Sequence, residues 1–191
     1  MLSVASKFTP RVFGPQTLYR WLHISPRVLR PSPQLTHIDN TNGRLNMVNV
    51  VSKPDTVREA TARGQVLLQS TEAFQLVESN SLAKGDVLTI AQIAGIQGAK
   101  QTPTLVPLCH PIGLADVKVK LWLDRELEAV EIEACTVCRG PTGVEMEALT
   151  AVTVAGLTVI DMCKSVARGA TLSNIRVVYK AGGKSGVYRA D

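Results

Sequence analysis

Alternation of apolar and polar residues predicts two adjacent strands in the middle of the chain. Residues 117–124 (VKVKLWLD) alternate strictly, and residues 129–137 (AVEIEACTV) alternate again. A period of two places one apolar face of a strand on a core and one polar face in water. The four residues between the two runs, 125–128, are then expected to form a hairpin turn. Shorter apolar runs at 65–69 and 175–180 predict two further strands.

Helical periodicity marks two segments between the first and second of these strands. Residues 71–78 (TEAFQLVE) open with a helix-start residue, and residues 87–100 carry apolar side chains at i, i+3 and i+4. Gly95 and Gly98 lower the helix propensity of the second segment, which predicts that a neighbour packs too closely there for a side chain. Three prolines make residues 102–113 a long ordered loop in this interpretation.

The longest helical pattern runs from residue 144 to residue 166. Thr142 and Glu145 have the spacing of a capping box at its start. Residues 148–160 are apolar on nearly every face, which predicts burial against the sheet and against a second subunit. This run of about 13 residues is too short for a membrane span, which needs roughly 20.

The order of these elements indicates the fold class. Strand, helices, strand, strand, helix, strand is the order of the ferredoxin-like, split βαβ arrangement, an α+β fold with one antiparallel sheet packed against helices. The chain of 191 residues is 45% hydrophobic and 19% charged, a composition that can bury one well-packed core. Residues 182–186 would follow the last strand as a flexible tail.

The net charge of +5 is confined to the N-terminal segment. Residues 1–38 hold five of the 21 basic residues and none of the 16 acidic ones, so the rest of the chain is neutral. A basic, acid-free segment with interspersed hydroxyl and apolar residues is typical of a mitochondrial presequence. We therefore expect residues 1–33 to be a targeting segment and residues 34–191 to be the functional domain, in the mitochondrial matrix. A floppy basic tail or an amphipathic membrane-surface helix is the alternative.

Two further classes of function are weighed by composition. A neutral domain with 4% aromatic residues lacks the charge and the stacking surfaces of a nucleic-acid-binding module. Cys135 and Cys138 have a CxxC spacing, which keeps a zinc or redox protein as an alternative. The pair lies on and just after a strand, however, whereas a redox motif begins a helix.

Acidic residues of the long helix are candidates for chemistry. Asp161 and Lys164 share one helix face and form either a surface ion pair or a proton-transfer pair in a partly buried cleft. Glu147 lies about 40° from Asp161 around the helix axis and so faces roughly the same direction. Glu145 is either part of the capping box or a site residue.

Other candidate groups lie in loops and at the ends of elements. Cys109 and His110 stand together on the proline-rich loop, where His110 is either a structural residue or a titrating site residue. A nucleophilic Cys109 is a further alternative. Lysines near glycines or at element ends are suited to polyphosphates, because ammonium groups and backbone amides point outward there. These lysines are Lys84, Lys100, Lys164, Lys180 and Lys184.

Several long stretches, taken together and in order, resemble one protein family. They are KGDV at 84–87, IAGIQGAK at 93–100, PLCHP at 107–111, GPTGVEMEALTA at 140–151, DMCK at 161–164 and GGKSG at 182–186, preceded by LTHI at 35–38, MVNV at 47–50 and TVREA at 56–60. This set resembles the cyclic pyranopterin monophosphate synthase (MoaC) family of molybdenum cofactor biosynthesis. The resemblance covers about residues 34–189, and the N-terminal extension before Gln34 is not part of the bacterial pattern.

The resemblance implies a lyase with a ferredoxin-like fold. The family converts (8S)-3′,8-cyclo-7,8-dihydroguanosine 5′-triphosphate, a small nucleotide-derived substrate, into cyclic pyranopterin monophosphate and diphosphate. It assembles as a homohexamer, a trimer of dimers, with active sites at subunit boundaries. No resident cofactor or metal is implied, and Mg²⁺ would arrive only with the substrate triphosphate.

The resemblance also implies site residues at matching positions. Asp161, Lys84 and Lys164 correspond to the family's catalytic residues. Its substrate contacts correspond to Leu108, Cys109, His110, Met146 and Glu147, and further polar pocket positions to Arg58, Lys100, Glu145 and Lys184. Our hypothesis is that the two catalytic lysines shuttle protons, that Asp161 orients Lys164, and that His110 and Lys100 hold phosphate.

Overall fold

Five strands form one antiparallel sheet, and the helices pack on one of its faces. The computed structural model describes residues 37–39, 43–184 and 186–190. The strands are β1 (Thr56–Leu67), β2 (Leu114–Asp124), β3 (Ala129–Gly140), β4 (Thr171–Ala181) and β5 (Tyr188–Arg189). The helices are α1 (Thr71–Glu78), α2 (Val87–Lys100), α3 (Thr102–Leu105) and α4 (Glu145–Cys163). The expected targeting segment, residues 1–33, lies outside the described residues.

The topology confirms the α+β prediction. The strand order is β2-β3-β1-β4-β5, and every neighbouring pair is antiparallel. In the first four strands, β1 lies between β3 and β4 while two helical connections cross the same face, as in the split βαβ arrangement. The short fifth strand extends the edge beyond β4.

The first strand is much longer than the apolar run at 65–69 predicts. β1 pairs with β3 along its whole length, from Thr56 opposite Gly140 to Leu67 opposite Ala129. Its core-facing residues Ala60, Ala62 and Val66 are fully buried. Small side chains give little hydrophobic alternation, so periodicity detects only the end of the strand. Small residues are needed there because α4 crosses β1 closely, and a Cβ at Gly64 would lie 2.7 Å from Val152 Cγ1.

Close packing between α2 and α4 confirms the interpretation of the helix glycines. A Cβ at Gly95 would lie 3.0 Å from the carbonyl oxygen of Ala151. A Cβ at Gly98 would lie 2.8 Å from Val154 Cβ. Both glycines therefore let two helix backbones approach each other, which offsets their low helix propensity.

The start of α4 differs from the predicted capping box. Val144 occupies the N-cap, and no side chain caps the helix there. Glu145 is the first helical residue, too early to reach back to Thr142, and its carboxylate contacts Lys180 instead. The capping-box prediction is therefore wrong.

The buried side of α4 lies in the core, against α2, β1, β3 and β4. Among the described helices, α4 alone has the length and composition of a membrane span, a test that core helices also pass. Its burial is incomplete, since Leu157 is 55% exposed.

One predicted loop contains regular structure, and a short strand follows the predicted tail. Residues 102–105 form the short helix α3, because Pro103 stands in the first turn, where a proline costs no backbone hydrogen bond. Beyond the predicted tail at 182–186, Tyr188 and Arg189 form β5, which pairs with the end of β4. Gly182 and Gly183 provide the turn between these strands with φ of +94° and +78°.

Candidate active site

Three charged residues meet at the C-terminal end of α4. The Lys164 ammonium donates to Asp161 Oδ1 at 2.7 Å, one helical turn away. The Lys84 ammonium donates to the main-chain carbonyl of Asp161 at 2.7 Å and lies 3.4 Å from its Oδ2. One carboxylate therefore holds two ammonium groups, and the cluster carries one net positive charge.

Helix packing brings Lys84 to this position. Lys84 lies in the loop before α2, where Gly85 takes φ of +96° and Asp86 caps the helix by accepting from the Thr89 amide. Because α2 packs against α4, this loop lies beside the last turn of α4. The Lys84 ammonium also faces the negative end of the α4 dipole, which favours a cation there.

The cluster is exposed in the single chain. The side chain of Asp161 is 61% exposed, so the carboxylate is not in the partly buried cleft that its apolar neighbours predict. Hydrogen bonds from Lys164 and Lys84 hold the pKa of Asp161 below its ordinary value. The group is an ionised acceptor at neutral pH, able to orient both ammonium groups.

A cation-rich cavity lies at the opposite end of α4. It encloses about 430 Å³ between the turn after β3, the start of β1 and the turn after β4. Its charged lining residues are four cations and two acids: Lys53, Arg58, Lys180, Lys184, Glu59 and Glu145. Such an excess of positive charge is suited to a polyphosphate.

Arg58 connects the two turns that form this cavity. Its guanidinium donates to the main-chain carbonyls of Gly140 at 3.3 Å and Pro141 at 3.2 Å. The same side chain lies directly beneath Gly182 and Gly183, and a Cβ at Gly183 would overlap its guanidinium. Arg58 thereby fixes the cavity walls relative to each other.

A second cavity adjoins the first at the start of α4. It encloses about 290 Å³ and shares Lys53, Thr142, Gly143 and Glu145 with the cationic cavity. Five of the residues implied by the resemblance line it: Leu108, Cys109, His110, Met146 and Glu147. His110 Nε2 donates to the carbonyl of Val48 at 2.8 Å, which fixes the ring and leaves Nδ1 as the other ring nitrogen for a ligand.

Glu147 is a buried acid at the floor of the second cavity. Only 3% of the residue is exposed. Burial, with a smaller contribution from the charge of Glu145, raises the pKa of Glu147 above its ordinary value, against the opposing effect of its own backbone amide. A carboxyl that retains its proton to higher pH can donate a hydrogen bond as well as accept one.

The cysteine alternatives do not fit this geometry. Burial and the charge of Glu147 raise the pKa of the Cys109 thiol, the opposite of what activates a nucleophilic cysteine. The side chains of Cys135 and Cys138 point to opposite faces of β3, since they are three residues apart on a strand. Cys135 contacts Glu59, whereas Cys138 is buried near the carbonyl of Thr142, so the two sulfurs cannot share one ion.

The structure brings the candidate residues together in two groups, not one. Glu147 and Asp161 are 14 residues apart on one helix, which separates them by about 21 Å along its axis. Lys100 lies at the exposed end of α2 and lines neither of the two cavities. A shared angle around the helix therefore does not place Glu147 and Asp161 in one site within a single chain.

Sequence patterns missed part of the cavity wall. Lys53 lies outside every predicted element, because the apolar run that predicts the first strand begins at residue 65, nine residues after the observed start of β1. The sequence indicates that Lys180 lies at the end of an element, but not that it lines a cavity. Small residues alternate with larger ones at Ala60, Ala62 and Gly64, a weaker signal than hydrophobic alternation that could have extended the predicted strand toward Arg58.

Comparison with known proteins identifies the family. Residues 47–183 match the MoaC family. The chain is 53% identical over 156 residues to a cyclic pyranopterin monophosphate synthase of Rhodospirillum rubrum, covering 82% of this chain and 93% of that protein. It is 49% identical over 157 residues to the protein of that name in Parvibaculum lavamentivorans, covering 82% and 97%.

Longer animal proteins contain the same region. The chain is 53% identical over 158 residues to molybdenum cofactor biosynthesis protein 1 of Bos taurus, covering 83% of this chain. It spans about a quarter of the length of that relative (25%). The match to the family model across residues 47–183, and the identity to bacterial proteins over nearly their whole length, lead to one conclusion: this chain belongs to the MoaC family.

Proposed function

We propose that this chain is a lyase that converts (8S)-3′,8-cyclo-7,8-dihydroguanosine 5′-triphosphate to cyclic pyranopterin monophosphate with release of diphosphate. This would be an early step of molybdenum cofactor biosynthesis. The observation that carries the proposal is the 49–53% identity to bacterial proteins named cyclic pyranopterin monophosphate synthase over 93–97% of their length. The cation-rich cavity beside a second cavity supports it, because the substrate joins a triphosphate to a purine-derived ring.

The two adjoining cavities divide the substrate between them in this proposal. The triphosphate enters the cationic cavity, near Lys184 and the N-terminal end of α4, where free amides and the helix dipole favour anions. The ring and ribose enter the second cavity, against Leu108, Cys109 and Met146. His110 and the buried Glu147 provide polar contacts there.

Asp161, Lys84 and Lys164 are the proposed catalytic residues. The reaction opens one ring, closes the pterin and lets a ribose-derived hydroxyl attack the α-phosphorus, which expels diphosphate. Each step moves a proton, and ammonium groups held by one carboxylate can donate and recover protons at fixed positions. The ion pairs of Asp161 at 2.7 Å and 3.4 Å support the role of orienting Lys164 and Lys84.

The separation of the two groups supports a site built from two subunits. Asp161 at one end of α4 and Glu147 at the other are about 21 Å apart, too far to act on one small substrate in the same chain. A neighbouring copy that presents its Asp161 cluster to this chain's cavities would complete the site. We propose a homohexamer, a trimer of dimers, with active sites at the subunit boundaries; light scattering of the purified chain measures this mass.

Two further parts of the proposal concern the surroundings of the enzyme. Mg²⁺ would enter with the substrate triphosphate, and no resident cofactor is proposed. Residues 1–33 would act as a targeting segment that delivers residues 34–191 to the mitochondrial matrix, on the basis of their acid-free basic composition. Import of the full chain into isolated mitochondria, with loss of the segment, is the direct test.

Turnover of the authentic substrate tests the proposed reaction. The full chain and a chain beginning at Gln34 are incubated with enzymatically prepared cyclic dihydro-GTP, and pterin and diphosphate are assayed together. Equal amounts of both products are expected from both proteins. If a folded oligomer forms neither product, the proposed function is wrong for this chain.

A further inference from the structure

One ion pair spans the wall of the cationic cavity. The Lys180 ammonium lies 3.0 Å from Glu145 Oε1, and their side chains are 38% and 30% exposed. Lys180 comes from the end of β4, whereas Glu145 is the first residue of α4. The pair therefore joins the first residue of α4 to the end of β4 across the cavity wall.

The Glu145 side chain has a fixed direction. It folds back over the turn before α4, so closely that a Cβ at Gly143 would overlap its carboxylate. Gly143 does not have a positive φ, so its backbone conformation does not demand glycine. Because Gly143 has no side chain, the Glu145 carboxylate can occupy the space beside it and reach Lys180.

The charge of Glu145 is unfavourable for the ligand that the cavity would hold. A carboxylate in the wall repels a polyphosphate. Its charge therefore weakens anion binding unless the carboxylate also holds a cation in place for the ligand. Lysine is a long, flexible cation that loses much rotamer freedom when it is held against a ligand. An ammonium has three donors, and Glu145 uses one of them, which leaves two for phosphate oxygens.

We propose that Glu145 is a positioning residue: its carboxylate holds the Lys180 ammonium in the cationic cavity for the triphosphate, and does not itself contact the substrate. This inference rests on the proposed function and assigns Lys180 to the polyphosphate. It also replaces the substrate-binding role that the family resemblance implied for Glu145.

The sign of one binding change tests the proposal. Inorganic tripolyphosphate is titrated calorimetrically into the full chain and into Glu145→Ala, Glu145→Gln and Lys180→Ala. Glu145→Ala removes a negative charge, so simple electrostatics predicts tighter binding, whereas loss of positioning predicts binding about tenfold weaker. Glu145→Gln keeps an oxygen that accepts from Lys180 and should bind as well as the wild type or more tightly.

A double variant and a matched control complete the series. In the Lys180→Ala background, Glu145→Ala should cause no further weakening, because no ammonium remains to be positioned. Glu133→Ala removes the same charge from an ion pair with Arg63 that does not line the cavity, and should leave tripolyphosphate binding unchanged. Tighter binding by Glu145→Ala than by the wild type, or equal weakening in both backgrounds, overturns the proposal. So does a wild-type chain that binds no tripolyphosphate.

Steady-state kinetics separate this inference from the proposed function. With cyclic dihydro-GTP, Glu145→Ala should raise KM more than it lowers kcat, and Glu145→Gln should restore KM. Absence of turnover in every protein, the wild type included, would refute the proposed reaction. The tripolyphosphate series would still decide whether Glu145 positions Lys180, because it does not depend on turnover.

Discussion

Individual side chains at the two ends of α4 differ mainly in their access to water. Asp161 is exposed and paired with two ammonium groups, whereas Glu147 is almost completely buried. Their pKa values are consequently shifted in opposite directions, downward for Asp161 and upward for Glu147. Two carboxyl groups on one helix thus lose their protons at different pH, which suits them to different tasks.

Replacing Asp161 by asparagine should remove catalysis while leaving the fold intact. The amide cannot carry the negative charge that holds Lys84 and Lys164, so we expect turnover to fall at least about 100-fold. Because the side chain is exposed, the thermal midpoint should change little. Asp116→Asn, in an ion pair with Lys118 on β2, is the matched control. Near-normal turnover of Asp161→Asn would exclude Asp161 from the mechanism.

Replacing Glu147 by glutamine should change the pH dependence of stability. Because the pKa of Glu147 is raised in the folded chain, the folded state keeps a proton that the unfolded state loses as pH rises through its ordinary value of 4.5. Because the folded state then binds more protons than the unfolded state, the stability of the wild type falls as pH rises. Glutamine does not titrate, so Glu147→Gln lacks this loss of stability.

Urea unfolding at about pH 4 and about pH 7.5 measures the effect. Relative to wild type, Glu147→Gln should be more stable at the higher pH than at the lower pH: the difference in free energy of unfolding, variant minus wild type, should increase. Glu126→Gln, at an exposed position of the β2–β3 turn, provides the comparison. A relative stability of Glu147→Gln that does not change with pH would contradict a raised pKa of Glu147 in the folded chain.

At the scale of elements, the site depends on how closely α2 and α4 pack. Gly95 and Gly98 let the two helices approach, and this contact places the Lys84 loop beside the end of α4. At the other end, Arg58 joins the turns after β3 and β4 that line the cationic cavity. The elements thus position both groups of site residues through close backbone contacts.

Adding one methyl group at Gly98 should destabilise the chain. Alanine is the better helix former, but its Cβ would lie 2.8 Å from Val154 Cβ, tighter than atoms pack without displacement. We expect Gly98→Ala to lower the free energy of unfolding by about 1–3 kcal/mol. Gly113→Ala, where nothing lies within 4 Å of the new Cβ, should change it by less than about 0.5 kcal/mol. Equal effects at both positions would mean that helix contact does not constrain Gly98.

At the scale of the whole molecule, a single chain keeps the proposed catalytic residues far from the proposed substrate-binding cavities. The Asp161 cluster and the two cavities lie at opposite ends of α4, about 21 Å apart. Exposed apolar side chains such as Ile93 and Leu157, 62% and 55% exposed, are compatible with contacts between copies. A second subunit would both cover such surfaces and complete the site.

Mixing two inactive variants should restore activity if the site is shared. Asp161→Asn damages one half of the site, and the double variant Lys180→Ala with Lys184→Ala damages the other. Coexpression with separate affinity tags gives mixed oligomers in which roughly a quarter of the sites contain two intact halves. Turnover near that fraction of wild type is expected. If every site lies within one subunit, mixed oligomers stay as inactive as the separate variants.

Local patterns in the sequence determined most of the secondary structure. The helices at 71–78 and 87–100 and the β2–β3 hairpin follow from periodicity, because each repeats its pattern over about two to four helical turns or a full strand. The element order then indicated the ferredoxin-like topology. The extent of β1 remained hidden, since Ala60, Ala62 and Gly64 are too small to produce hydrophobic alternation.

The sequence by itself also determined which residue types could carry chemistry, but not which of them meet. Glu147 and Asp161 lie only about 40° apart around the axis of α4, which suggests a common site. They are nevertheless far apart along the axis, at opposite ends of the helix and in different environments. The CxxC spacing leaves a shared ion open as an alternative, but the pleat of β3 directs Cys135 and Cys138 to opposite faces. The spacing of Glu145 from Thr142 is that of a capping box, but in the structure Glu145 contacts Lys180, 35 residues further along, at 3.0 Å. Contacts of this kind depend on packing between distant segments, which local sequence patterns do not encode.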